Sequence, residues 1–137
     1  MKALLLLTFI IATLQITVAQ DTLVSRGTFQ ALSPSARVSG EALVYRSSAG
    51  QDWLVLKDFK LSGGIVLDLK ICGVNDLSDR YCLSLGTLTH GSPVNWPIPS
   101  GFVSYQKVLI FDVEMIENLG MAPLSDVLVP SLSRLIQ

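Results

Sequence analysis

The chain has 137 residues, half of them hydrophobic and only 15% charged, with ten Lys and Arg against eleven Asp and Glu. That near balance excludes an electrostatic case for nucleic acid, and no polybasic run argues for acidic lipid. The length fits one domain.

Lys2 precedes an apolar run from Ala3 to Leu14, and a more polar stretch ends in Thr17-Val18-Ala19. Thr17 and Ala19 fit the small-residue positions of a secretory cleavage site. The pattern predicts a signal peptide over residues 1–19, a mature start at Gln20 and an extracellular protein. An uncleaved anchor would need about 20 strongly apolar residues, whereas Thr8, Thr13, Gln15 and Thr17 interrupt this run. The whole-chain mean hydropathy of +0.51 is inflated by this segment. Without it, 118 residues of net charge −2 remain. A chain of that size buries roughly two-thirds of its unfolded surface, enough for stability without metal or covalent staples to be expected.

After a polar leader, residues 20–25, short apolar alternations are broken by Gly, Pro, Ser and Asn, the pattern of a sheet protein. Strands are predicted over 26–32 and 37–46, with Ser33-Pro34-Ser35 turning between them because proline fixes its backbone angle and lacks a donor. Ser47-Ser48-Ala49-Gly50 closes a hairpin whose return strand is 52–59. There Leu54, Leu56 and Asp58 share one face, which the leucines mark as buried, and Trp53, Val55 and Lys57 share the other. Ser62-Gly63-Gly64 is the next turn. Over 65–71, Asp68 and Lys70 alternate with Leu67, Leu69 and Ile71, as in a half-exposed strand. Residues 73–79 read as a polar loop and 80–88 as the next strand. Pro97-Ile98-Pro99 is unsuited to a central strand, since proline donates nothing to a ladder. The strongest late strand spans 105–115, where an almost continuous apolar run predicts two covered faces. Asn118 and Gly120 signal a turn. Residues 125–137 form either a short amphipathic helix after Pro130 or a frayed tail.

Cys72 and Cys82 are the only cysteines. An even count in an oxidising compartment, flanking a polar loop, predicts a disulfide staple; the alternative is an exchangeable redox pair. The single histidine, His90, sits in a Gly-Ser-Pro turn and reads as solvated, and no Cys-x-x-Cys, His-Glu-x-x-His or phosphate loop occurs. Asp112, Glu114 and Glu117 concentrate carboxylates late in the chain, with Asp58, Asp76 and Asp79 elsewhere. Asp112 and Glu114 fall on one strand face, so a polar outer face is expected, and the run lacks the dense oxygen-ligand pattern of a calcium loop. No metal or cofactor is expected. Trp53 and Trp96 are the candidate binding residues, since flat rings combine apolar area with a polar edge. Tyr105 and Phe59 read as packing residues. No Asn-x-Ser/Thr sequon is present.

Dispersed landmarks add a family. Gly27-Thr28-Phe29, Val38-Ser39-Gly40 and Leu56-Lys57-Asp58-Phe59 precede Leu85-Gly86-Thr87-Leu88, Trp96-Pro97-Ile98-Pro99, Tyr105-Gln106-Lys107-Val108-Leu109-Ile110 and Leu119-Gly120-Met121-Ala122-Pro123-Leu124. In order and spacing the set, over residues 26–124, resembles the DM-thirteen domain family, also called the electron-transfer DM-thirteen domain. The resemblance implies an extracellular module, often appended to matrix or cell-surface proteins, with a suggested electron-transfer role resting on a late-strand cysteine. Asp112 stands where that thiol is expected, so the thiol chemistry does not carry over. The expected molecule is a single-domain antiparallel β-sandwich or barrel-like sandwich. It is expected to be a non-enzymatic binding or matrix-organising module for an extracellular protein or polysaccharide. The alternatives are a redox protein using Cys72 and Cys82 and a carbohydrate-binding domain using Trp53 and Trp96.

Overall fold

Alternation of apolar and polar residues decides which face each strand buries, and here it produces two antiparallel sheets packed face to face. The computed structural model describes residues 21–64, 66–88 and 95–127. The strands are β1 (Thr22–Thr28), β2 (Gln30–Ala31), β3 (Arg37–Arg46), β4 (Asp52–Ser62), β5 (Leu67–Asn75), β6 (Tyr81–Leu88), β7 (Asn95–Ile98), β8 (Phe102–Asp112), β9 (Glu117–Pro123) and β10 (Ser125–Asp126). One five-stranded sheet has the order β10-β1-β3-β4-β7 and the other β2-β9-β8-β5-β6. The two stay separate sheets, a sandwich rather than a closed barrel.

Inward residues of both sheets make one core: Ala42, Val44, Leu54 and Leu56 from the first, Leu69, Ile71, Val108, Ile110 and Ala122 from the second. The leucines of β4 are buried as the alternation predicts. Asp58, expected on their face, is exposed. Its φ of 52° and that of Gly40 at 110° build a bulge where the β3–β4 register shifts between Ser39 and Glu41. The extra residue reverses the alternation, so Phe59 and Leu61 turn inward and pack against the core. Phe59 meets Phe29 edge to face, with ring centroids 5.2 Å apart.

Two boundaries move outward. The expected leader supplies the start of β1, an interior strand pairing with β3 on one side and β10 on the other. Its Val24 packs against the core. The expected tail contributes β10, held where the Ser25 hydroxyl donates to the Ser125 carbonyl. Residues 128–137, with the helix or frayed tail predicted beyond Pro130, lie outside the described residues, as do the signal segment and the His90 turn.

The late strand is also shifted. β8 begins at Phe102 and ends at Asp112; Val113 to Ile116 form the turn, while Asn118 and Gly120, expected as turn residues, sit inside β9. The outer face of β8 is covered less completely than the continuous apolar run predicts. Leu109 is buried and Phe111 is half-buried, with the Lys70 ammonium 4.2 Å from its ring centroid. A long cationic stem thus replaces a second layer of structure over that ring.

Candidate functional site

The hairpin β3–β4 places Arg46 and Asp52 as register partners on either side of the Ser47–Gln51 turn. The Arg46 Nε donates to Asp52 Oδ1 at 2.8 Å and a terminal nitrogen donates to Oδ2 at 3.1 Å. From the opposite sheet, the Tyr105 hydroxyl donates to Asp52 Oδ2 at 2.6 Å. The three side chains therefore bridge the sheets at one end of the sandwich. Burial alone would push the Asp52 carboxyl up, but the hydrogen bonds from Arg46 and Tyr105 and the charge of Arg46 outweigh it, holding the group below its usual range. The bond to Asp52 raises the Arg46 guanidinium. Burial first, then the bond to Asp52, pushes the Tyr105 phenol well above its ordinary value.

These residues floor an open cleft of about 290 Å³, walled by Gln51, Ile98, Pro99, Ser100, Gly101 and Phe102. The two hydrogens of the Gln51 amide donate to the Asp52 and Ile98 carbonyls, each at 2.8 Å, tying the β3–β4 turn to β7. Phe102 lies between Tyr81 and Tyr105, with centroid separations of 5.3 and 5.2 Å. Chemically the cleft offers donors, acceptors and ring faces. Its carboxylate, guanidinium and phenol hold one another's protons in place, which opposes acid–base work.

Trp53 and Trp96 do not form a joint surface. Register pairs Trp96 with Leu54 and Trp53 with Pro97. Adjacent positions point to opposite faces, so Trp96 enters the core at 7% exposure. Trp53 remains half-buried on the outer face, opposite Tyr45 across β3.

Cys72 and Cys82 form a disulfide between directly opposed residues of β5 and β6. The disulfide expected from sequence, either between adjacent strands or across a loop, is formed, and it joins adjacent strands. Cys72 is 1% exposed, whereas Cys82 is exposed on β6, the edge strand of its sheet.

Asp112 does not share an outer strand face with Glu114. It is 1% exposed, and its Oδ1 accepts from the backbone amides of Glu114 and Met115 at 3.0 and 3.3 Å. The carboxylate anchors the β8–β9 turn, since short acidic side chains readily bond amides two or three residues on. Among the described residues, no three His, Cys, Asp or Glu gather in a way that could hold a metal ion.

The Arg46–Asp52–Tyr105 group was missed by sequence reasoning. One half was available, because opposite charges bounding the five-residue Ser-Ser-Ala-Gly-Gln turn are natural cross-strand partners. The other half depends on how the sheets stack. No protein-family model, curated protein or solved structure matches this chain.

Proposed function

We propose that the protein is a secreted, non-enzymatic binding or matrix-organising module, of the kind implied by the DM-thirteen resemblance. The observation that carries this reading is the end cleft. Its ionisable groups are paired with one another in a bidentate guanidinium–carboxylate pair and a phenol bond, while its mouth stays open and mixed in polarity. A site built this way holds a partner better than it moves a proton. The disulfide fits an oxidising compartment, and among the described residues no helix is long and apolar enough to cross a membrane.

The redox reading turns on Cys82, which lies on an exposed edge strand where a thiolate can approach. An absorbance spectrum and a thiol titration on one sample of secreted protein separate the two. The module reading expects no visible chromophore and a disulfide inert to a glutathione buffer. Thiol exchange at ordinary potentials, or a bound chromophore, would replace it with the redox reading.

A further inference from the structure

We propose that the end cleft binds a single neutral sugar ring, through Arg46, Gln51, Tyr105 and Phe102. The proposal rests on the binding-module reading and adds the ligand class.

Charge narrows the choice first. Among the described residues, Arg46 and Asp52 are the only charged side chains lining the cleft, and they pair bidentately, so the floor is neutral as a whole. An anion brought to the guanidinium would lie beside the Asp52 carboxylate, and a cation brought to that carboxylate would lie beside the guanidinium, so the pair repels part of either charge. A polyhydroxyl ligand meets no such repulsion.

Hydrogen-bonding capacity narrows it further. Arg46 carries five N–H donors; Asp52 takes two, and among the described residues no other hydrogen bond from this half-exposed side chain occurs. The Tyr105 oxygen donates its proton to Asp52 and keeps acceptor capacity. Both Gln51 amide hydrogens are committed to carbonyls, which leaves its Oε1 as an acceptor. Donors on one residue and acceptors on two others match hydroxyls, which both give and accept.

Shape agrees. The tilted Phe102 and Tyr105 rings, 5.2 Å apart, give an apolar wall for the C–H face of a pyranose. The volume of about 290 Å³ lies at the lower end for ligand pockets, where about 300–1,000 Å³ is usual, and suits one ring rather than a chain of rings. At the mouth, a side chain at Gly50 or Gly101 would meet no atom within 4 Å, so both glycines border open space.

The test is an amide-shift titration of the full secreted protein with the methyl glycosides of glucose, galactose, mannose and N-acetylglucosamine, and with acetate and methylammonium as charged probes. At about 20 mM, some twentyfold above a millimolar dissociation constant, at least one glycoside should shift the amides of Gln51, Ser100 and Gly101, and neither ion should. Tyr105→Phe should weaken that glycoside about tenfold or more. Ser100→Trp, a bulky side chain at an exposed lining position outside the Arg46–Asp52–Tyr105 group, should abolish binding in a protein whose other resonances stay in place. Trp53→Ala should leave it unchanged. The proposal is overturned by the absence of shifts with every glycoside, by shifts that survive Ser100→Trp, by shifts lost with Trp53→Ala, or by acetate occupying the cleft. None of these results alters the thiol titration, so the ligand class can fail while the module reading stands.

Discussion

At the scale of single residues, Tyr105 couples two sheets through one proton. Asp52 has a depressed folded value, so its contribution is present above the ordinary 3.8 and is lost as pH falls through the folded value. Tyr105 has a raised one, so its contribution is full below the ordinary 10.0 and declines as pH rises beyond it. Thermal melts should therefore show a plateau bounded by losses below about pH 4 and above about pH 10. In Tyr105→Phe the alkaline loss should shrink, and a variant keeping the full alkaline slope would remove Tyr105 as its cause. Asp112 makes a complementary case. Asn keeps the oxygen that accepts from Glu114 and Met115, so Asp112→Asn should melt within a few degrees of the parent. Asp112→Ala strips the acceptor and should cost about 0.5–2 kcal/mol, as for the loss of a comparable cap. Equal melting points for the two variants would show that the turn does not depend on that acceptor.

At the scale of elements, legibility followed locality. The Leu54/Leu56 face, the Cys72–Cys82 bridge and the confinement of Pro97 to β7, an edge strand, all follow from residues near one another in sequence. The β4 reversal does not, because nothing in the identity of Asp58 announces a positive φ. The β8–β9 turn was misplaced for a related reason: Val113, Met115 and Ile116 are apolar and read as strand, yet they stand 49%, 66% and 78% exposed. Burial of Asp112 with its two amide bonds ends the strand instead. The disulfide closes only a short segment, ten residues in sequence separation. Chain entropy for such a loop gives about 2.5–3 kcal/mol. Replacing both cysteines with serine should lower denaturant stability by that much or less while far-ultraviolet dichroism keeps its sheet signature. Loss of the folded baseline in the double variant would mean that the core does not suffice alone. At a glycine the margin is narrower: a methyl group on Gly27 would run into the Pro123 carbonyl oxygen. Gly27→Ala should destabilise by about 1–3 kcal/mol, as overpacking does, and an unchanged unfolding midpoint would refute that contact.

At the scale of the whole molecule, the sandwich class was legible because period-two alternation recurs along the chain, while the cleft was not. Asp52 and Tyr105 are 53 residues apart, and only the stacking of two sheets joins them. The same limit applies to Trp53 and Trp96, whose ring chemistry is plain in sequence but whose opposite faces depend on which strands pair. Secretion belongs to this scale too. Intact-mass measurement of material from the medium should place the N-terminus at Gln20 or close to it; a membrane-bound chain retaining Met1 would overturn that. Such a start leaves β1 intact, since it begins at Thr22.

The pairing of β1 with β10 carries a mechanical consequence. Ser25 faces Asp126 and Thr22 faces Arg46, so the chain leaves both Asp21 and Val127 at the same end of the sandwich as the cleft. Tension between those two points peels β10 from β1, and then β1 from β3, one hydrogen bond at a time instead of shearing a whole ladder at once. The sandwich should yield at low force, opening at the sheet that contributes Arg46 and Asp52. The Cys72–Cys82 bridge lies in the other sheet, outside the first load path. It would shorten the final extension by roughly 3.5 nm, the span of the ten residues it locks. Under load, the cleft would dismantle before the stapled sheet does.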